Sequence, residues 1–139
     1  ITFHIPYFVF NVFIVFILTM YRYNDYLYIV KNKNNKDIKN KVWDMKSDVS
    51  FGNFQIKLNK LKEEGVYDSL SLKVPITLKK ISGNEKIMVN NTHHQELKKI
   101  FQNRSIPLWE RDKFILFYSH NKLLLAYSDK EMFISSDLR

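Results

Sequence analysis

Residues 92–127 read THHQELKKIFQNRSIPLWERDKFILFYSHNKLLLAY, and this stretch decides how the chain is expected to fold. Thr92 stands three positions before Gln95, which is the spacing of a capping box, where each side chain bonds the other residue's backbone N–H. The apolar residues that follow have the spacing i, i+3 and i+4 of one helical face: Leu97, Ile100 and Phe101. The pattern predicts a short helix, capped by Thr92, that buries one apolar stripe.

The same helix is expected to end before Pro107 and to keep two lysines away from the core. Proline lacks a backbone N–H, and it biases the preceding residue, Ile106, away from helical conformation. Lys98 and Lys99 fall outside the apolar stripe. They are therefore predicted to face solvent or a partner.

Two apolar runs after this helix predict a β-hairpin. Residues 114–118 and 123–127 are aromatic and aliphatic, and residues 119–122 between them are polar and compatible with a turn. Neither run alternates strictly, which favours strands buried on both faces, although a run this short also fits a buried helix.

Upstream segments predict further strands. Residues 54–58 and 70–74 alternate apolar with polar side chains, residues 87–89 form a short apolar run after a turn at 82–84, and residues 22–30 are rich in strand-favouring types. The expected fold class is α+β, with a small mixed or antiparallel sheet and one or two short helices, preceded by an apolar N-terminal segment.

Composition limits the classes of function. The chain has 139 residues, enough for one compact domain, and no cysteine, which excludes disulfides and thiolate metal sites. Its net charge of +8 favours polyanionic partners, although the excess of lysine and asparagine is also typical of an AT-rich genome. No glycine-rich phosphate loop is possible with only Gly52, Gly65 and Gly83.

The first twenty residues leave three interpretations open. Residues 1–20 contain no Lys, Arg, Asp or Glu, and their length meets the loose criterion for a transmembrane helix. They lack the basic region and the small-residue cleavage site of a signal peptide. The alternatives are a segment buried in a soluble core, and an artefact or fragment edge encoded by T-rich DNA.

The helix, the proline turn and the hairpin together resemble the C-terminal domain of tRNA(Ile)-lysidine synthetase. That family shows a Leu-Lys-Lys-apolar-aromatic-Gln helix and a Pro-x-Trp-x-Arg-Asp turn, which residues 97–102 and 107–112 match. The resemblance covers roughly residues 76–127. The sequence departs from the family pattern at five positions: Asn90 and Asn91 replace glycines, Glu96 a basic residue, Ile115 a proline and Ser128 a glycine.

The resemblance implies a role in tRNA modification. Enzymes of this family use ATP to join lysine to the wobble cytidine of tRNA(Ile), and they hold the body of the tRNA with this C-terminal region. Their ATP-binding Ser-Gly-Gly-x-Asp-Ser loop lies in an N-terminal catalytic domain and is absent from this sequence. The chain is expected to be the non-catalytic tRNA-binding part of such a ligase, inactive alone, with ATP and magnesium held by a separate or missing catalytic domain.

Composition and the resemblance together suggest an organisation and a location. Composition separates an apolar segment, residues 1–20, from a strand and a Lys/Asn-rich linker, residues 21–46. The resemblance implies that residues 47–139 are the tRNA-binding C-terminal domain. The expected location is cytoplasmic, and a membrane is a partner only if residues 1–20 are a real anchor.

Seven basic residues flank the matched motifs and are the candidate tRNA-binding set: Lys79, Lys80, Lys98, Lys99, Arg104, Arg111 and Lys113. Arg111 has a structural alternative, since it could stack on aromatic surface or pair with Glu110 or Asp112. No catalytic residue is predicted, because the carboxylates show no spacing that acid–base chemistry would require. No metal-binding residue is predicted, because adjacent His93 and His94 would diverge by about 100° on a helix.

Two functions from other classes stay open. Residues 1–20 suggest a small membrane-anchored protein. The absence of the catalytic loop also fits a non-functional remnant of a synthetase gene, whose product folds but serves nothing.

Overall fold

The chain divides into two compact units, Ile1–Lys36 and Asp37–Arg139. This is a computed structural model, and it describes residues 2–6, 18–23, 26–31 and 38–138. The domain boundaries that the sequence suggests after residues 20 and 46 stay predictions.

The first unit contains a three-stranded antiparallel sheet in the order β1-β3-β2. Its strands are β1 (Thr2–Pro6), β2 (Leu18–Tyr23) and β3 (Tyr26–Lys31). The single strand predicted over residues 22–30 is wrong, because residues 22 and 23 belong to β2 and residues 26–30 to β3, which is antiparallel to it. Both strands are rich in aromatic and β-branched residues, so side-chain type alone does not separate them.

The interpretations of the apolar segment fall largely on residues outside the described part, since residues 7–17 are not among the described ones. The same holds for residues 32–37 of the predicted linker. In the part of the chain that is described, no helix is both long enough and apolar enough to cross a membrane.

The second unit is built on a five-stranded antiparallel sheet in the order β12-β11-β10-β7-β4. The strands are β4 (Lys41–Trp43), β7 (Ile76–Lys80), β10 (Ile115–Ser119), β11 (Lys122–Tyr127) and β12 (Met132–Ile134). The α+β class predicted from the sequence is confirmed. Its short α-helices number four among the described residues, more than the one or two expected.

Residues 44–71 cover one face of this sheet. They form a hairpin of β5 (Val49–Phe51) and β6 (Phe54–Ile56), followed by α1 (Leu58–Glu63) and α2 (Tyr67–Ser71). Ile56, Leu61 and Leu70 are fully buried against the sheet residues Leu78 and Phe117. This packing places the larger of the two hydrophobic clusters on that face.

Residues 86–111 cover the opposite face, and we call them the helix-side layer. They comprise a hairpin of β8 (Lys86–Val89) and β9 (His93–Glu96), followed by α3 (Leu97–Asn103) and α4 (Leu108–Arg111). Leu97 and Phe101 pack there on Leu116, whose chain neighbour Phe117 packs on the other face. The hairpin predicted over residues 114–127 is confirmed, with strands buried on both faces.

The strand predicted over residues 70–74 is wrong. Residues 67–71 are helical, and Leu72, which alternation would bury, is 84% exposed. Val66 and Leu70 are both buried at the i, i+4 spacing of a helix face, so burial follows helical periodicity instead of alternation. Similarly, the strand predicted over residues 54–58 ends at Ile56, because Leu58 begins α1.

The capping box at Thr92 is also wrong. Thr92 ends a turn in which its N–H donates to the carbonyl of Val89 at 3.2 Å, and the two residues between them, Asn90 and Asn91, have φ of 54° and 58°. Asparagine tolerates this left-handed region better than most residues, which explains how it replaces the family glycines there. Residues 93–96 therefore pair as β9, and the helix begins only at Leu97.

Candidate nucleic-acid interface

Helix α3 presents two lysines on the side opposite its buried residues. Leu97 and Phe101 are each 2% exposed, whereas Lys98 and Lys99 are exposed, as the helical spacing predicts. The ammonium of Lys98 lies 3.8 Å from Oε2 of Glu96, and Lys99 has no ion pair among the described residues. Exposed pairs of this kind contribute little energy, so both lysines remain able to bind a phosphate.

Three phenyl rings pack together beneath the C-terminal end of α3, and we call Phe101, Phe114 and Phe133 the phenyl cluster. Their ring centroids are 4.8 Å apart for Phe101 and Phe114, and 5.7 Å apart for each of the other two pairs. All three are buried. They form a rigid apolar base on this face of the sheet.

Two arginines lie over this cluster. The guanidinium carbon of Arg104 is 5.7 Å from the ring centroid of Phe133, and that of Arg111 is 5.9 Å from the centroid of Phe101. Arg104 is exposed and directly follows α3, while Arg111 is half-buried in α4. Of the two structural alternatives for Arg111, stacking on aromatic surface is the one observed, since it makes no ion pair with any described residue.

Lys113 is partly neutralised by a carboxylate. Its ammonium lies 3.1 Å from Oε1 of Glu110, and the ammonium of Lys130 lies 3.8 Å from Oε2 of the same residue. Glu110 is therefore shared between two lysines, and Lys113 is less available for a ligand than Lys99.

The adjacent lysines of β7 lie on opposite faces of the sheet. Lys79 is in register with Leu116, which packs under the helix-side layer, whereas Lys80 is in register with Ile115, which packs in the other cluster. Side chains alternate along a strand, so the two ammonium groups diverge. Lys80 is thus separated from the other six predicted residues, all of which lie on or beside the helix-side layer.

Lys79 is held over a tyrosine at the margin of that layer. Its ammonium is 4.5 Å from the ring centroid of Tyr118. Partial burial, reinforced by the nearby carboxylate of Glu85, raises the pKa of the Tyr118 hydroxyl above its ordinary value. Glu85 itself closes the predicted turn at residues 82–84, where its carboxylate accepts the N–H of Gly83 at 2.9 Å.

Sequence reasoning missed one exposed lysine of this layer. Lys86 lies directly opposite Glu96 in the β8–β9 hairpin, and Glu96 is the partner of Lys98. The signal was present in the sequence, because Lys86 precedes the buried Ile87 and must therefore point to the other side of the strand.

His93 and His94 are not arranged to share a metal ion. His93 and His94 are consecutive residues of β9, not of a helix, and their side chains point to opposite faces of that strand. No group of three or more His, Cys, Asp or Glu side chains among the described residues could hold a metal ion.

Comparison with known families gives a match to one segment of the chain. Residues 76–129 match the model of the TilS substrate C-terminal domain, which is the C-terminal domain of tRNA(Ile)-lysidine synthetase. This confirms the suspected family for that segment, whose bounds agree with the resemblance over residues 76–127. No curated protein matches the chain significantly, and no solved structure does.

The matched segment runs from β7 to just past β11. It therefore contains the whole helix-side layer and three of the five strands of the sheet, β7, β10 and β11. The β5–β6 hairpin, α1 and α2, which cover the other face, precede it in the chain.

Proposed function

We propose that residues 76–129 bind tRNA and serve as the non-catalytic, RNA-holding part of a tRNA(Ile)-lysidine synthetase. The observation that carries this proposal is the match of this segment to the C-terminal domain of that enzyme. The helix-side layer supports it with exposed cations, above all Lys98, Lys99 and Arg104.

The chemistry of these groups suits a phosphate backbone. Lysine and arginine bind phosphate oxygens and release condensed counterions, which gives binding that is strong at low salt and independent of sequence. The cations protrude from a layer fixed by buried Leu97, Phe101 and Trp109, so a ligand can be bound without rearranging the core. Six of the seven predicted residues then form one basic surface that contacts the RNA. Lys80, on the other face of the sheet, contributes only long-range electrostatic attraction.

Catalysis is assigned to another domain. Joining lysine to the wobble cytidine consumes ATP, and this sequence has no Ser-Gly-Gly-x-Asp-Ser loop to hold it. ATP and magnesium would be bound by the family's catalytic domain, whether supplied in the same protein or separately. We therefore propose that this chain alone is not a ligase, and that it works in the cytoplasm, where the tRNA substrate is modified.

The test is binding of a tRNA(Ile) transcript by the purified chain, measured by fluorescence anisotropy over a series of salt concentrations. The expected result is a dissociation constant that rises steeply with salt and is tighter for tRNA than for an unrelated RNA duplex of similar charge. Equal affinity for the two RNAs would contradict tRNA recognition. A separate assay with labelled lysine, ATP and tRNA should give no ligated product.

A further inference from the structure

We propose that Arg104 and Arg111 form a phosphate clamp, in which two guanidinium groups supported by the phenyl cluster bind the RNA backbone through paired N–H donors. This inference rests on the proposed function and names the groups that make its specific contacts. It gives the two arginines a different role from the lysines around them. The lysines would attract the RNA through charge alone, without oriented hydrogen bonds.

Both arginines lie over the same buried cluster of rings. Arg104 contacts Phe133, Phe133 contacts Phe101, and Phe101 contacts Arg111, at 5.7, 5.7 and 5.9 Å in turn. All of the rings in this path are buried, so both guanidinium groups lie over one continuous apolar surface. Two cations on the same surface suit a ligand with repeated anionic groups.

The arginines retain unused donors. The Nε–H of Arg111 donates to the carbonyl of Ile106 at 2.8 Å, which orients the guanidinium plane. Among the described residues, no hydrogen bond or ion pair engages the Nη groups of Arg111 or any part of the Arg104 guanidinium. These N–H groups are therefore free to donate to phosphate oxygens.

The neighbouring lysines lack a guanidinium, and two of them, Lys98 and Lys113, already face carboxylates. Lys79 does lie over a ring, that of Tyr118, but it presents only an ammonium. An ammonium is also a point charge on a flexible stem, whereas guanidinium presents a planar fork that matches a phosphate with two parallel hydrogen bonds. Stacking on an aromatic ring limits the rotational freedom that binding would otherwise remove.

The experiment exchanges arginine and lysine while keeping the charge. We expect Arg104→Lys to weaken binding of the intact chain to a tRNA(Ile) transcript by about tenfold, the value of roughly one charge-assisted hydrogen bond. The matched control, Lys46→Arg, also keeps the charge of an exposed residue but lies in the segment that covers the opposite face of the sheet, so it should leave affinity within about twofold. Arg104 is exposed, so an unchanged melting temperature is expected for the variant.

A short RNA duplex of unrelated sequence is titrated in parallel. If Arg104→Lys weakens both RNAs by the same factor, the clamp binds phosphates as proposed. If Arg104→Lys binds both as tightly as the parent chain does, the clamp is overturned while tRNA binding stands. If the parent binds tRNA no tighter than the duplex but the lysine variant loses affinity for both, the proposed function fails and the clamp survives. Absence of binding to either RNA overturns both.

Discussion

The Nε–H of Arg111 donates a hydrogen bond of 2.8 Å to the carbonyl oxygen of Ile106, across the loop that joins α3 to α4. This bond connects the residue before Pro107 to the last residue of the short helix that follows it. Arg111 therefore stabilises the loop itself, in addition to lying over the buried ring of Phe101. We therefore expect the loss of Arg111 to lower both stability and the proposed RNA binding.

Arg111→Ala is expected to lower the free energy of unfolding by about 1.5–3 kcal/mol, because a charged donor is removed and the Ile106 carbonyl loses its partner. Urea denaturation followed by tryptophan fluorescence measures this change. Arg104→Ala is the control, since Arg104 is exposed and its guanidinium makes no hydrogen bond to a described residue. It should change stability by less than about 0.5 kcal/mol. Equal stability of the two variants would show that the bond to Ile106 contributes nothing.

Phe101→Ala is expected to cost about 3–5 kcal/mol, a large part of the stability of a small domain. Phe101 is 2% exposed and contacts both other rings of the phenyl cluster, so its removal leaves a cavity that the sheet cannot close. Leu108→Ala offers a contrast, because Leu108 is 58% exposed and should lose under about 0.5 kcal/mol. A cost below about 1 kcal/mol for Phe101→Ala would mean that α3 does not pack on the sheet as described.

Asn90 should tolerate glycine but not alanine. Its φ of 54° lies in the left-handed region, where alanine costs about 1–2 kcal/mol and glycine almost nothing. We expect Asn90→Ala to destabilise by about 1 kcal/mol and Asn90→Gly to be neutral or stabilising, as judged by thermal unfolding. Asn59→Ala makes the same chemical change inside α1 and should instead be neutral or slightly stabilising, because alanine favours helix. If Asn90→Ala and Asn59→Ala behaved alike, the left-handed turn would be ruled out.

The helix face and the final hairpin could be predicted because several signals agree there. Leu97 and Phe101 have helical spacing, a proline follows them, and the apolar runs at 114–118 and 123–127 are long enough to be buried on both sides. The structure buries them in these positions. The helical spacing, the proline and the apolar runs therefore all favour the same fold, a short helix packed on a buried hairpin.

The errors arose where two patterns fitted the same residues. The apolar residues after Leu70 alternate as in a strand, whereas Val66 and Leu70 have the spacing of one helix face. The sequence cannot decide between these two patterns, because the choice depends on which residues pack against the sheet. At Thr92, the capping-box spacing coincided with a turn built from two left-handed asparagines, which a residue pattern does not reveal. The candidate cations follow from their charge and from their position beside the motifs of the family resemblance. The divergence of Lys79 and Lys80 depends on strand register, and the arginine–phenyl contacts depend on tertiary packing, neither of which a residue pattern reveals.

Removing both exposed lysines of α3 tests whether the basic surface has a specific site. Lys98→Ala with Lys99→Ala should weaken tRNA binding and reduce the slope of log K against log salt by about one unit or more, since each phosphate contact contributes roughly 0.9 to that slope on duplex nucleic acid. Thermal stability should be nearly unchanged, because neither side chain is buried and the Lys98–Glu96 pair is exposed.

The control must remove the same charge from elsewhere in the unit. Lys46 and Lys57 are both exposed and belong to the segment that covers the opposite face of the sheet. Lys60 is unsuitable, because its ammonium donates to the Asp129 carbonyl at 2.8 Å and its removal would disturb the fold. A double substitution of Lys46 and Lys57 by alanine lowers the net charge equally and should have a smaller effect on both affinity and salt slope. If the two pairs have equal effects, tRNA is attracted by the charge of the whole chain, and the helix-side layer contains no lysine site.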